Sequence, residues 1–210
     1  MRKTHVLAAF LYMAASLSAL SAQSQREQTL LGDRGFKLTG FWANWNHQLA
    51  PFDDQYGYFK GWQFGLEFGK VIFLGYGRNR LDEPVTLADG RRLDFNYNAF
   101  KIGYGIVPWR AIHPIVQVDF GPGRTRIDNE LRRNNFVVQP AAGLEINVFR
   151  WLRLNMEGGY RFVRNTGNAT GIVSDRELSG PYAQATARFG LSWGKHYTSP
   201  KYAKRKPDDQ

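Results

Sequence analysis

The chain has 210 residues, a formal net charge of +10 and no cysteine, so disulfide bonds cannot stabilise it. Its hydrophobic fraction of 43%, its 15% of aromatic residues and its 22 glycines suit short β-strands better than a helical bundle. A stable fold without disulfide bonds must therefore depend on other interactions, such as the closed hydrogen bonding of a β-barrel.

The first residues predict export from the cytoplasm. Arg2 and Lys3 precede an apolar stretch over residues 6–20, and small residues before Gln23 offer a cleavage site. This stretch is shorter than the roughly 20 residues that a spanning helix needs, so it predicts a signal peptide and not an anchor. The predicted organisation is a signal peptide over 1–22, a periplasmic segment over 23–34, a barrel over 35–194 and a basic tail over 195–210.

Eight segments of alternating polar and apolar residues, bounded by turn residues, predict eight β-strands. In chain order these strands cover residues 36–46, 59–69, 71–78, 93–107, 112–123, 136–149, 151–165 and 181–194. A few residues join the second strand to the third, the fourth to the fifth and the sixth to the seventh, and we expect about a dozen or more in the other connections. This alternation of short turns and long loops is typical of outer-membrane barrels.

The last strand shows the two-faced pattern most clearly. One parity is wholly apolar from Ala183 to Trp193, and the other includes Gln184 and Arg188. The same alternation assigns an apolar outward face to other strands, with Trp62, Phe64, Leu66, Phe68, Ile72, Leu74, Tyr76, Phe100, Ile102, Tyr104, Val116, Val118, Leu144, Ile146, Leu154, Met156 and Phe162 among its residues. An apolar exterior around a polar interior predicts an all-β fold, an eight-stranded antiparallel up-and-down transmembrane β-barrel.

The predicted inward face carries charges of both signs. Four acids and five bases share it: Glu67, Asp119, Glu145 and Glu157 with Lys37, Lys101, Arg153, Arg161 and Arg188. A charge left alone in a desolvated lumen costs several kcal/mol, so we expect an internal ion-pair network. Eight strands enclose a space that side chains just fill, which disfavours a standing aqueous channel.

Aromatic residues are expected at both membrane interfaces. Trp109, Trp151 and Trp193 fall near the short turns, and Trp42, Trp62, Tyr160 and Phe136 fall toward the long loops. The predicted lipid-interface aromatic residues are Trp62, Trp109, Trp151, Tyr160 and Trp193.

The pattern changes in the fourth predicted strand. Phe95 and Tyr97 have the parity opposite to the apolar stripe that begins at Phe100, which suggests a β-bulge near Asn98. Upstream, Asp89-Gly90 is a strong hairpin signal, so we expect the third and fourth strands to continue beyond the membrane as a hairpin.

The long connections are rich in arginine, including Arg78, Arg80, Arg124, Arg126 and Arg164. Two interpretations stay open: solvated mixed-charge loops, or contact with the phosphates of lipopolysaccharide in the outer-membrane lipid. The basic tail is expected to be disordered and periplasmic, and export excludes nucleic acid as its partner. An envelope protein remains a candidate partner.

Little in the sequence predicts catalysis. His47 is expected in the first outer loop near Asp53 and Asp54, but no nucleophile motif accompanies it. No spacing predicts a metal or cofactor site, so we expect neither a cofactor nor an enzyme.

These features resemble the small eight-stranded outer-membrane barrels that include OmpA and OmpX. The turn Phe149-Arg150-Trp151-Leu152-Arg153 and the strands rich in aromatic residues and glycine are more similar to the PorT-like barrels of Bacteroidota. Many such barrels end on their last aromatic residue, whereas here Trp193 is followed by a tail.

The resemblance implies a structural, adhesive or assembly role in the bacterial outer membrane. The even number of strands predicts that both termini are periplasmic. We therefore expect a non-enzymatic barrel that presents external loops or serves as a subunit of an envelope assembly. A rim-located lipid or peptide hydrolase and a narrow pore are the alternatives.

Overall fold

The computed structural model describes residues 37–52, 55–87, 90–128, 131–165 and 174–193, without the side chains of residues 131 and 132. Residue contacts divide the chain into Met1–Arg34 and Gly35–Gln210, and the described residues all belong to the second unit. The predicted signal peptide, N-terminal segment and basic tail lie outside the described residues. Within the described part, no helix is long and apolar enough to cross a membrane.

The described chain consists of strands with one short helix. The elements are β1 (Leu38–Phe52), β2 (Gln55–Phe68), β3 (Ile72–Leu81), β4 (Val85–Thr86), β5 (Arg92–Gly105), β6 (Ile112–Ile127), β7 (Leu131–Asn147), β8 (Leu152–Asn165), α1 (Asp175–Leu178) and β9 (Gly180–Ser192).

Eight long strands form a closed, all-antiparallel barrel, as the alternation predicts. Their order is β3-β2-β1-β9-β8-β7-β6-β5, and pairing of β3 with β5 closes the ring. The chain's first and last strands are neighbours, in register from Gly40 opposite Ser192 to Leu49 opposite Ala183. Closure pairs both edges of every long strand, which satisfies the backbone without water.

The barrel has two ends, a proximal end and a distal end. The proximal end holds the start of β1, the end of β9 and the turns at residues 69–71, 106–111 and 148–151; the distal end holds the other connections. The predicted short turns are confirmed. Two predicted long loops are wrong, because β1 and β2 are separated by residues 53–54 alone and β6 and β7 by 128–130. The alternation continues past the apolar stripe, so these strands stay paired beyond it.

The expected bulge near Asn98 is wrong. The pairing of β3 with β5 keeps one register from Ile72 opposite Tyr104 to Arg80 opposite Asn96. Phe95 and Tyr97 are simply inward-facing residues, fully buried in the lumen. The predicted hairpin is present, because β4 pairs with the start of β5 and Gly90 adopts a φ of +83° that favours glycine.

The outward faces of β2, β3 and β5–β9 are confirmed, but that of β1 is reversed. Phe41 and Trp45 are exposed on the outer wall, whereas Trp42 points into the lumen with 3% of its surface exposed. Its indole N–H donates to the Leu66 carbonyl at 3.2 Å. Both parities of β1 carry aromatic residues. The parity of Trp42 also carries the polar residue Asn44, which is buried, so that face turns toward the polar lumen.

Candidate functional site

The proximal half of the lumen contains an ion network centred on Glu145. This buried carboxylate pairs with Arg188, lies 3.2 Å from His113 Nε2 and lies 3.7 Å from Arg153 Nη1. Arg153 Nη1 also contacts Glu67 Oε2 at 2.9 Å. These side chains come from β2, β6, β7, β8 and β9, so the network ties opposite walls together.

A second polar cluster lies beside the first. Lys101 pairs with Asp119 at 3.4 Å, and Gln63 Nε2 donates to the same carboxylate at 3.1 Å. Glu157 accepts hydrogen bonds from Gln117 and, at 3.5 Å, from Gln184. Seven of the nine predicted lumen charges therefore lie in these two clusters.

Two predicted members of the network are wrong. Lys37 is exposed because it precedes the first residue of β1, at the proximal rim of the barrel, where no facing strand covers its side chain. Arg161 is inside the lumen, with none of its surface exposed, but forms no ion pair with any residue that the structure describes.

Arg161 is held by aromatic rings in place of a carboxylate. Its guanidinium lies 4.4 Å from the ring centre of Phe52, 5.1 Å from that of Phe59 and 5.5 Å from that of Phe95. Its Nε donates to the Leu178 carbonyl at 2.8 Å. Within the described chain, its two Nη atoms have no hydrogen-bond partner. Cation–π contacts with three rings partly offset the cost of burying this charge.

The distal half of the lumen is an apolar core, whereas the strand alternation predicted a polar interior. Its buried members are Ala50, Phe52, Phe59, Leu81, Val85, Leu93, Phe95, Tyr97, Ala99, Ile127, Val137, Ala141, Val163, Leu178 and Tyr182. The Tyr97 hydroxyl, where the core meets the polar half, has its single proton within reach of two amide oxygens, Gln48 Oε1 at 3.0 Å and Gln139 Oε1 at 2.8 Å. The aromatic residues on the inward parity of β2 and β5, such as Phe59, Phe95 and Tyr97, were the sequence feature that could have predicted this apolar core.

Helix α1 closes the distal core from above. Ser174 and Glu177 form a reciprocal capping box, and Leu178 inserts its side chain into the core. Asp175 pairs with Arg133 on β7 and accepts from the Asn165 backbone N–H at 3.2 Å. The pattern Ser-x-x-Glu at residues 174–177 is a helix-start signal that could have predicted this element.

The predicted interface aromatics lie mainly on the outer wall. Trp151 and Trp193 are exposed near the proximal end, and Trp62 and Tyr160 are exposed nearer the distal end. Trp109 instead lies half-buried in the proximal turn at residues 106–111. The exposed apolar side chains between these levels form the broad apolar band of a lipid-facing surface.

A cationic belt lies on the outer wall on the distal side of this band. Cross-strand register aligns Lys60, Arg80, Asn96 and Arg124 on four successive strands, with all three cations exposed. Arg78 lies one row closer to the apolar band, opposite Trp62. Lys60 pairs with Asp82 at 2.7 Å.

Below this belt, a mostly apolar groove crosses the outer wall. Its volume is about 900 Å³, and its lining residues include Phe64, Leu66, Leu74, Tyr76 and Phe100. Arg78 lies on β3, one of the strands that line the groove.

His47 lies on β1, so its predicted place in an outer loop is wrong. It is exposed on the outer wall, stacked between Trp45 and Tyr58, and hydrogen-bonded to the Tyr58 hydroxyl. Asp53 and Asp54 lie outside the described residues. Among the side chains that the structure describes, no group of three His, Asp or Glu residues could hold a metal ion.

The barrel is similar to solved outer-membrane barrels. Neisserial surface protein A matches with a TM-score of 0.50 and 11% identity, covering 73% of this chain and 96% of that protein. The N-terminal β-barrel domain of Pseudomonas aeruginosa OprF matches with a TM-score of 0.51 and 10% identity, covering 73% and 98%. No protein-family model matches the chain, and no curated protein matches it. These similarities show the fold.

Proposed function

We propose that this protein is a non-enzymatic outer-membrane barrel that presents its distal connections outside the cell or serves as a subunit of an envelope assembly. The observation that carries the proposal is the filled lumen, with an ion network in one half and an apolar core in the other. Side chains that fill the interior make the barrel a rigid scaffold, so its functional surfaces are its ends and its outer wall.

The two alternatives have weaker support. A pore requires a wet path, but Arg161 and its three aromatic neighbours fill the distal half. A rim hydrolase requires a base beside a nucleophile, and the described contacts of His47 are with Trp45 and Tyr58. Kinship with the PorT-like barrels is part of the proposal and is supported by the turn at residues 149–153.

The proposed orientation places the proximal end in the periplasm, as in barrels whose termini and short turns lie on that side. Single cysteines test it, because the chain has none of its own. A membrane-impermeant maleimide should label Glu177→Cys on intact cells and should reach Arg150→Cys only after the outer membrane is opened. Both native side chains are exposed, at opposite ends. The reverse labelling order would invert the barrel and end this proposal.

We further propose that the cationic belt contacts the phosphates of lipopolysaccharide. Arg78 and Arg80 lie above an apolar groove suited to acyl chains, and guanidinium groups bind phosphate oxygens through paired donors. Successive strands are about 4.8 Å apart, so neighbouring cations can share one headgroup.

The matched test compares two substitutions to glutamine. The double variant Arg78→Gln with Arg80→Gln should lower lipopolysaccharide affinity about a hundredfold, because it removes two charge-assisted contacts of about 1.4 kcal/mol each. Arg110→Gln, an exposed change at the proximal end, should leave affinity unchanged. Equal lipopolysaccharide affinity of both variants would show that the belt is not the contact surface.

The pore alternative has its own test. Planar bilayers containing wild-type protein should show no stepwise conductance, and regular steps would favour the pore.

A further inference from the structure

A cavity of about 770 Å³ opens at the proximal end of the barrel. Three turns surround it: Lys70 comes from the turn at residues 69–71, Trp109 from the turn at 106–111, and Phe149 with Arg150 from the turn at 148–151. Its other lining residues are Pro108, Asn147, Val148, Arg153 and Ser192. Volumes of this order accommodate small ligands or a short stretch of peptide.

All charged residues that line the cavity are cations. Arg153 is already paired, with Glu67 at 2.9 Å and Glu145 at 3.7 Å. Lys70 and Arg150, by contrast, form no ion pair with any residue of the described ranges. The site therefore carries two positive charges that its own carboxylates do not neutralise.

The charged neighbours of Lys70 are one carboxylate, Glu67, and two arginines, Arg153 and Arg150. Burial lowers the pKa of the Lys70 ammonium; nearby Glu67 opposes this shift, and Arg153 and Arg150 reinforce it. A bound anion would offset the repulsion between Lys70 and the two arginines and would raise the pKa of Lys70. An opposite charge within a few ångströms favours the charged amine.

The cavity walls are held in place by the fold itself. The backbone N–H of Lys70 donates to Thr39 Oγ1 at 2.9 Å. Asn147 Nδ2 donates to the carbonyls of Pro108 at 3.1 Å and Arg110 at 2.8 Å, which ties the turn at residues 106–111 to the end of β7. A site assembled before binding loses little ordering entropy when a ligand enters.

We propose that this cavity, here named the proximal mouth, binds the carboxylates of an extended acidic peptide segment from a periplasmic partner protein. The inference rests on the proposed function, because that function places the proximal end in the periplasm. Lys70 and Arg150 would receive the carboxylates, and Trp109, Val148 and Phe149 would contact the peptide's apolar side chains. These apolar walls favour a peptide over a bare inorganic anion.

Charge also argues against occupation by the chain's own tail. Residues 195–210 contain five lysines and arginines against two aspartates. A cationic tail beside a cationic mouth would be repelled, and both features favour an acidic partner.

The test uses full-length protein folded in detergent micelles, with ¹⁵N-labelled tryptophan. The indole N–H signal of Trp109 is assigned from its absence in Trp109→Phe. The probe is an acetylated, amidated peptide of alternating glutamate and leucine. It should shift the Trp109 signal saturably and leave those of Trp45 and Trp62, on the outer wall, in place.

Matched variants locate the binding. Lys70→Gln should weaken peptide affinity about tenfold, as loss of one charge-assisted hydrogen bond predicts. Arg150→Gln gives an independent reading if Lys70→Gln fails to fold. The control variant Lys204→Gln with Arg205→Gln should bind as wild type does, because it changes only the tail.

Several outcomes would overturn the inference. If the peptide does not shift the Trp109 signal, or if peptide affinity is unchanged in both Lys70→Gln and Arg150→Gln, the mouth does not bind the peptide. Loss of binding in the tail control would place the acidic contact on the tail. Inorganic phosphate that displaces the peptide at equal concentration would show an anion site without peptide preference. Because the experiment uses micelles, its failure is distinguishable from failure of the orientation test in cells.

Discussion

The distal apolar core should carry a large share of the barrel's stability, and Phe59→Ala tests this directly. Phe59 is fully buried, with ring centres of Phe52, Phe95 and Tyr97 at 5.8, 6.0 and 6.3 Å and the Arg161 guanidinium at 5.1 Å. Removing a buried phenyl ring typically costs about 3–5 kcal/mol. We expect the upper part of this range, because the closed strands prevent collapse around the cavity and Arg161 loses a π partner.

Phe64→Ala is the matched control on the same strand. Phe64 has the opposite parity and is 51% exposed on the outer wall, so detergent or lipid can fill the space that its ring leaves. We expect it to lower the free energy of unfolding by about 1 kcal/mol, the value of a partial apolar contact.

The assay is reversible urea unfolding in detergent micelles, followed by tryptophan fluorescence and by the mobility difference between boiled and unboiled samples on gels. The wild type should migrate faster when unboiled, since a closed barrel resists the detergent. Equal losses for the two variants, or a larger loss for Phe64→Ala, would refute the assigned facing of β2 and the apolar core with it.

Three further outcomes are expected. Glu145→Gln should lower the free energy of unfolding by about 3–5 kcal/mol, because it leaves Arg188 buried without its carboxylate. Adding Arg188→Met should recover part of that loss, and no recovery would contradict a direct ion pair between the two residues. Met156→Arg should cost about 2–4 kcal/mol in lipid vesicles by placing a charge on the lipid-facing wall, where a neutral effect would contradict the assigned face. Ser174→Ala should cost about 1 kcal/mol at the helix cap and speed backbone hydrogen exchange at Glu177 and Leu178, and unchanged exchange there would show that the capping box does not hold α1.

The sequence determined the strand number, the type of fold and most of the outward face. These properties follow from local alternation, because successive side chains of a strand point to opposite sides whatever the strand pairs with. Turn residues fixed the proximal turns in the same local way, as at Gly69 and Lys70, both with positive φ. The predicted network residues from Glu67 to Arg188 could be named for the same reason: inward parity is readable one strand at a time.

Only the closed structure decided which inward residues meet, since contacts across the lumen depend on strand order, register and tilt around the whole ring. Arg161 has the same parity as Glu157, yet closure places it among Phe52, Phe59 and Phe95 at the distal end. In β1 both parities carry aromatic residues, and the residues that mark the inward face are polar: Asn44, Asn46 and Gln48 share the parity of Trp42. Closure decided only which partners these residues find, such as Gln63 for Asn44, because those partners lie on the inward faces of other strands.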